Sequence, residues 1–296
     1  MKKARNERFN KSCYMFFIWI IAFGLIVSIG PASSEGAEDV GSDQLGELRY
    51  ITLDSKEVGV SYKIGIVTPP GYNDSGAPYP AVFTLDGAYY LQTFREGFYG
   101  TDSDVIIVAI LNSDRRNIDY MPNNECTSGG GGNHAFLNFL VLELVPYLDE
   151  NYNIDPSLRI LFGHSHGGSF VFYTLFSDHG ETFPLLLSTD ASIGCNLPYF
   201  QNLERLYHSA NDHLPAVIYA AGATGQNAKF VRPFMRNLMS RGYEGLVAKY
   251  EEFHGSHDGI LAEALPSGFD WLGSQIDDTP APNKAMPFIP LLLLDD

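Results

Sequence analysis

The chain has 296 residues, 45% of them hydrophobic and 18% charged, with a formal net charge of −16. That composition is not that of a disordered chain and suffices for one sizeable α/β domain with a full core. The acidic balance argues against nucleic acid and anionic surfaces as partners, and no segment repeats with the period of a solenoid or propeller.

Lys2, Lys3, Arg5, Arg8 and Lys11 precede an apolar run from Cys13 to Gly30, and small residues follow in GPASSEGA. A basic start, an apolar middle and small residues afterwards describe an export signal. The run also approaches the roughly 17–25 residues that cross a bilayer, so an uncleaved anchor stays open. Residues 1–32 are therefore expected to be a signal peptide or an N-terminal anchor, with the rest periplasmic or secreted. Cys126 and Cys195 are then the two remaining cysteines, either bonded in an oxidising compartment or present as thiols.

From about Arg49, YITLDSKEVGVSYKIGIVTPPGY alternates as an opening hairpin does, with Pro69-Pro70-Gly71 ending it. YPAVFTLDG and DVIIVAILN are nearly continuous apolar runs, which suit strands buried on both faces of a parallel sheet. After a loop rich in glycine and asparagine, AFLNFLVLELVPYLDENY places Phe136, Leu140, Leu144 and Leu148 four apart. That spacing predicts a helix, with Pro146 kinking its last turn.

SLRILFG reads as a strand, GGSFVFYTLF as a helix and PLLLSTD as a strand. PAVIYAAG, NAKFVRPFMRNLMSRGY, LVAKYEEF and GILAEALPSGFDWLGSQ continue the alternation. The order predicts an α/β fold, with helices on both faces of a mostly parallel sheet, over residues 45–275. Residues 276–296 form a proline-containing tail too short to span a membrane.

GHSHGGS, residues 163–169, falls between the strand RILF and the helix SFVFYTLF. It holds Gly163-x-Ser165-x-Gly167, the spacing of a serine nucleophile turn, and also His164-x-His166, a spacing that can hold a metal. The glycines are required by the serine turn and unnecessary to a metal site, so a nucleophilic Ser165 is expected and no metal. At such a turn Oγ is presented at the carboxyl end of the sheet, and the His166 N–H is aimed at the same place. A base for Ser165 must follow the last strand, where His254 and His257 lie. Gly87 or Ala88, in TLDGAYY, supplies the second oxyanion N–H, while Asp86 shapes the turn.

RRNIDYMPNNECTSGGGGNHAFLNFLVLELVPYLDENY followed by RILFGHSHGGSFVFYTLF resembles the esterase D-like family of α/β-hydrolases. The resemblance runs from about Arg49 to Gln275 and is closest to the siderophore-esterase-like branch. It implies the α/β-hydrolase fold, a three-layer α/β/α sandwich, with Ser165 as nucleophile and His257, rather than His254, as base. It also implies a histidine at His164 that packs or hydrogen-bonds beneath the turn, and an arginine near the pocket.

Such hydrolases commonly carry an acid after the strand that here reads PAVIYAAG, yet GATGQNAK has no carboxylate. Asp190, ending PLLLSTD, is the expected substitute; a Ser–His pair with a neutral orienting group stays open, and Asp258 is expected to point elsewhere. Arg116 and Tyr89 are candidate substrate contacts, with Arg115 and Tyr90 beside them and surface ion pairing or core packing as the alternatives.

The expected function is an exported serine esterase that needs no cofactor and acts on a small-molecule ester. Acyl transfer, thioester hydrolysis, or a non-catalytic binding role on the same scaffold are the alternatives.

Overall fold

A computed structural model of the chain describes residues 45–100, 103–123 and 129–276. The N-terminal basic and apolar segment, Cys126 and residues 277–296 lie outside the described residues, and with them the expectations about export, anchoring and a disulfide.

Among the described residues there are eight strands: β1 (Glu47–Asp54), β2 (Ser61–Thr68), β3 (Tyr79–Thr84), β4 (Ile106–Ile110), β5 (Ile154–His164), β6 (Leu185–Thr189), β7 (Val217–Ala223) and β8 (Val247–Phe253). They form one sheet in the order β1-β2-β4-β3-β5-β6-β7-β8. β1 pairs with β2, and β2 with β4, in antiparallel register; every later pair is parallel. The apolar runs explain the centre: every residue of β4 and β6 is buried, because helices cover both faces there. The two edges are polar instead. Arg49 pairs with Glu47 on β1 and Lys249 with Glu251 on β8, charges that discourage pairing with another chain's strand.

One face of the sheet is covered by α1 (Gly87–Tyr99) and α8 (Leu261–Ile276), where Phe94 and Phe98 meet Phe269 edge-on at 5.7 and 5.0 Å. Short α2 (Arg116–Asp119) follows β4. The other face carries α3 (Asn133–Asn138), α4 (Val145–Asn151), α5 (His166–Leu175), α6 (Leu197–Ala210) and α7 (Ala228–Ser240), around Phe136, Phe170, Phe200 and Phe234.

Two details depart from the sequence reading. Between α3 and α4 the helix widens to π geometry over Phe139–Leu144, directly before Pro146. Pro146 has no N–H to close an ordinary turn, so the adjustment comes before the proline and not in the last turn. Helices α1 and α6 also have no counterpart in that reading. In α6 only Phe200 and Glu204 are buried, which leaves little apolar periodicity to detect.

Candidate active site

Parallel strands β3, β5 and β6 each run into a non-glycine residue in the left-handed region: Asp86 at φ 53°, Ser165 at φ 60° and Asp190 at φ 40°. Such residues cost on the order of 1–3 kcal/mol each and persist only where the surroundings hold them. Register makes them neighbours. Thr84 stands beside Phe162 and His164 beside Thr189, while the Leu85 N–H donates to Phe162 O at 3.1 Å and the Ser165 N–H to Thr189 O at 3.0 Å.

Ser165 is the N-cap of α5, with ψ at −118°. A Cβ on Gly163 would lie 2.2 Å from the carbonyl oxygen of Gly167, so the turn closes only around glycine there. The Ser165 side chain is nearly buried, and Oγ lies 3.2 Å from Ser192 Oγ. The Ser192 N–H donates to Ser165 O at 3.0 Å, so both ends of Ser192 brace the turn.

His257 follows β8, and its Nδ1 lies 2.5 Å from Asp190 Oδ2. Asp190 is fully buried, and each of its oxygens accepts at least one hydrogen bond. Oδ1 accepts from the Ala223 N–H at 2.8 Å, and Asn227 Nδ2 donates to the Asp190 carbonyl at 3.0 Å and to Oδ2 at 3.3 Å. Where GATGQNAK lacks a carboxylate, it thus supplies a backbone N–H and an amide that hold one offered from the next strand. Asn227 escaped the sequence reading; its position as N-cap of α7 was the available signal. His254 is exposed and is not among the partners of Asp190.

The two histidines of GHSHGGS diverge. His164 is 2% exposed; its Nδ1 meets Thr189 Oγ1 at 3.0 Å and its Nε2 meets Asp258 Oδ1 at 3.1 Å. Asp258 is thus hydrogen-bonded to His164, while Asp190 takes Nδ1 of His257. Burial, then the charge His257 would carry, pushes His164 down to about 4, against the pull of Asp258 and Asp190. His166 opens α5 and meets Asn117 Oδ1 through Nδ1 at 3.1 Å. Burial, and then the nearby Arg116 guanidinium, lower it to about 4 as well.

Gly87 and Ala88 begin α1 directly after Asp86, the helix N-cap. A Cβ on Gly87 would fall 2.7 Å from Ala109 Cβ, which is why the chain passes so close to β4 only as glycine. The N–H groups of a helix's first turn have no partner inside it, and α1 and α5 both start at this end of adjacent strands. Asp86 itself is structural. Arg116 grips it with two bonds of 3.0 and 3.1 Å, and the Asp86 N–H donates to Tyr120 Oη at 3.1 Å. Burial raises the Asp86 carboxyl, and Arg116 opposes that rise.

Arg115 is likewise paired, with Asp119, which also accepts from Tyr62 Oη at 2.7 Å. Both arginines thus neutralise buried carboxylates, with a quarter of each side chain left exposed. Tyr89 is 69% exposed, while Tyr90 packs edge-on against Phe162 and His164 at 5.5 and 6.5 Å.

A family model described as "Putative esterase" matches residues 55–229. The ferri-bacillibactin esterase BesA of Bacillus subtilis is 28% identical over 142 residues, 44% of this chain and 48% of the relative, so the chain spans about half the length of the curated relative it matches. The BES protein of Bacillus cereus superposes with a TM-score of 0.66 at 22% identity, over 80% of this chain and 97% of that one. The siderophore hydrolase EstA of Aspergillus nidulans gives 0.66 at 19%, over 83% and 99%. At these identities the two structures establish a shared fold, that of the α/β-hydrolases.

Proposed function

The chain belongs to the esterase family that matches residues 55–229, and on that premise we propose that it hydrolyses carboxylic esters with Ser165 as the attacking group. One observation carries the reading: His257 Nδ1 is 2.5 Å from Asp190 Oδ2, at the end of the sheet where Ser165 sits in a strained turn. That contact fixes the ring and leaves Nε2 as the basic nitrogen.

In the proposed reaction Ser165 Oγ attacks the ester carbonyl carbon while His257 Nε2 takes its proton. Asp190 stays ionised and stabilises the imidazolium. The N–H of His166 and that of Gly87 or Ala88 meet the oxyanion; each such donor is worth roughly 10²–10³ in rate. The carbon–oxygen bond to the alcohol breaks, the alcohol leaves with the proton, and water activated by His257 releases the acid. Before attack, Ser165 Oγ must turn from Ser192 towards His257, a tightening common when substrate enters.

The substrate proposed is a siderophore-type ester, the class named for the Bacillus subtilis relative. Arg116 and Tyr89 are the side chains proposed to border it. The basic and apolar start supports export to the periplasm or medium. The test is turnover of p-nitrophenyl butyrate and of a catecholate siderophore ester by the parent and by Ser165→Ala. The reading requires turnover by the parent and its loss in the variant; activity retained by Ser165→Ala sinks it.

A further inference from the structure

The HxH pair that invites a metal does not form one site, because His164 and His166 turn to different partners. The fold assembles a different set. One ring nitrogen of His164, one of His257 and one carboxylate oxygen of Asp258 all lie within 4.8 Å of one another. The two rings face each other with centroids 4.4 Å apart and planes inclined by 44°. We propose that these three residues bind a divalent ion of the zinc class, which reversibly switches off the esterase.

The donor set favours zinc over calcium or magnesium. Two imidazoles and one carboxylate suit Zn²⁺, whereas the harder cations take oxygen alone. One of the three spacings already matches what such an ion needs, and all three ligand atoms lie within 4.8 Å of one another. Ligands about 2.0–2.1 Å from a tetrahedral centre stand roughly 3.4 Å apart, and His164 Nε2 and Asp258 Oδ1 are already at 3.1 Å. Asp258 is 81% exposed, so its carboxylate can complete the closure without disturbing the core.

Both rings are also braced from behind. His164 Nδ1 rests on Thr189 Oγ1 at 3.0 Å, and His257 Nδ1 on Asp190 Oδ2 at 2.5 Å. Oxygen partners on the far nitrogen are what orient metal-binding histidines. They leave Nε2 of each ring to the ion, whose remaining position opens to water beside the partly exposed His257. The acidic chain, at −16, draws cations towards it.

The consequence follows from a single lone pair. The Nε2 that would hold the ion is the one that takes the proton of Ser165 in the proposed reaction, so ion and turnover exclude each other. The switch rests on that reading, but the site does not.

The test uses the full chain, stripped with EDTA and titrated with ZnCl₂, followed by calorimetry and by p-nitrophenyl butyrate turnover. One zinc should bind per chain, inhibition should track occupancy, and EDTA should restore the rate. Asp258→Asn should keep the metal-free rate and bind zinc roughly tenfold or more weakly. Ser165→Ala should bind zinc as the parent does, which separates this inference from the esterase reading: calorimetry reports the site even if no ester is turned over. Unchanged zinc affinity in Asp258→Asn, or no binding at one per chain, overturns the site. Zinc binding at that stoichiometry without loss of turnover overturns the switch.

Discussion

His257 Nδ1 and Asp190 Oδ2 lie 2.5 Å apart although β7 separates the two strands that carry them. The aspartate crosses that gap because β7 ends in Ala223, whose N–H secures Oδ1 at 2.8 Å, and because Asn227 braces the other side. The usual place of the acid is thereby filled by groups that hold an acid from next door.

Replacing Asp190 by Asn removes the charge and favours the wrong tautomer of His257. In that variant kcat for p-nitrophenyl butyrate falls roughly 10³- to 10⁴-fold with the fold intact. Near-parental kcat would mean that the ring is oriented by something else.

Asn227→Ala tests the bracing. It removes two donations to Asp190 but leaves the Ala223 N–H in place. A buried hydrogen bond lost in this way costs about 1–3 kcal/mol. The expected outcome is a kcat roughly tenfold lower, a smaller loss than in Asp190→Asn, with an unchanged circular dichroism spectrum.

Arg116→Met strands Asp86, which is 1% exposed, without its partner. Breaking such a pair from one side costs about 3–5 kcal/mol at neutral pH. Burial holds the folded carboxyl above its unfolded value, and loss of Arg116 raises it further. The folded state then binds the proton that the unfolded chain gives up, so stability falls as pH rises through that window. Urea unfolding should show the deficit at pH 7 and a smaller one near pH 4.5. A deficit that grows on acidification contradicts this.

Gly163→Ala places a Cβ where only 2.2 Å separates it from Gly167 O, a backbone atom that cannot swing aside. The turn must open, with a loss of about 3 kcal/mol in unfolding free energy and of most activity. Denaturant unfolding and ester turnover read the two effects separately.

The frame of the site was legible because it rests on local rules. Alternating apolar runs give the sheet, and a glycine-flanked serine between a buried strand and an apolar helix marks the turn at Ser165. The last strand brings both His254 and His257 to the same end, and the choice of His257 rests on the family resemblance. What escaped depends on contacts between segments far apart in the chain. Arg116 reads as a substrate contact or a surface ion pair until β3 brings the buried Asp86 against it. The pairing of His166 with Asn117 needs the loop after β4, and the grip of Asn227 on Asp190 needs β6 and β7 side by side. The HxH spacing suggested a neighbourhood that the strand-to-helix turn pulls apart.

The central claim is that Ser165 is the attacking group. Its most direct measurement is mass spectrometry of the intact and digested protein after reaction with a fluorophosphonate. With Ser165 as nucleophile, one covalent adduct forms per chain, located on the peptide containing Ser165, absent from Ser165→Ala and slowed in Asp190→Asn. Labelling elsewhere with Ser165 unmodified, or equal labelling of Ser165→Ala, would contradict it.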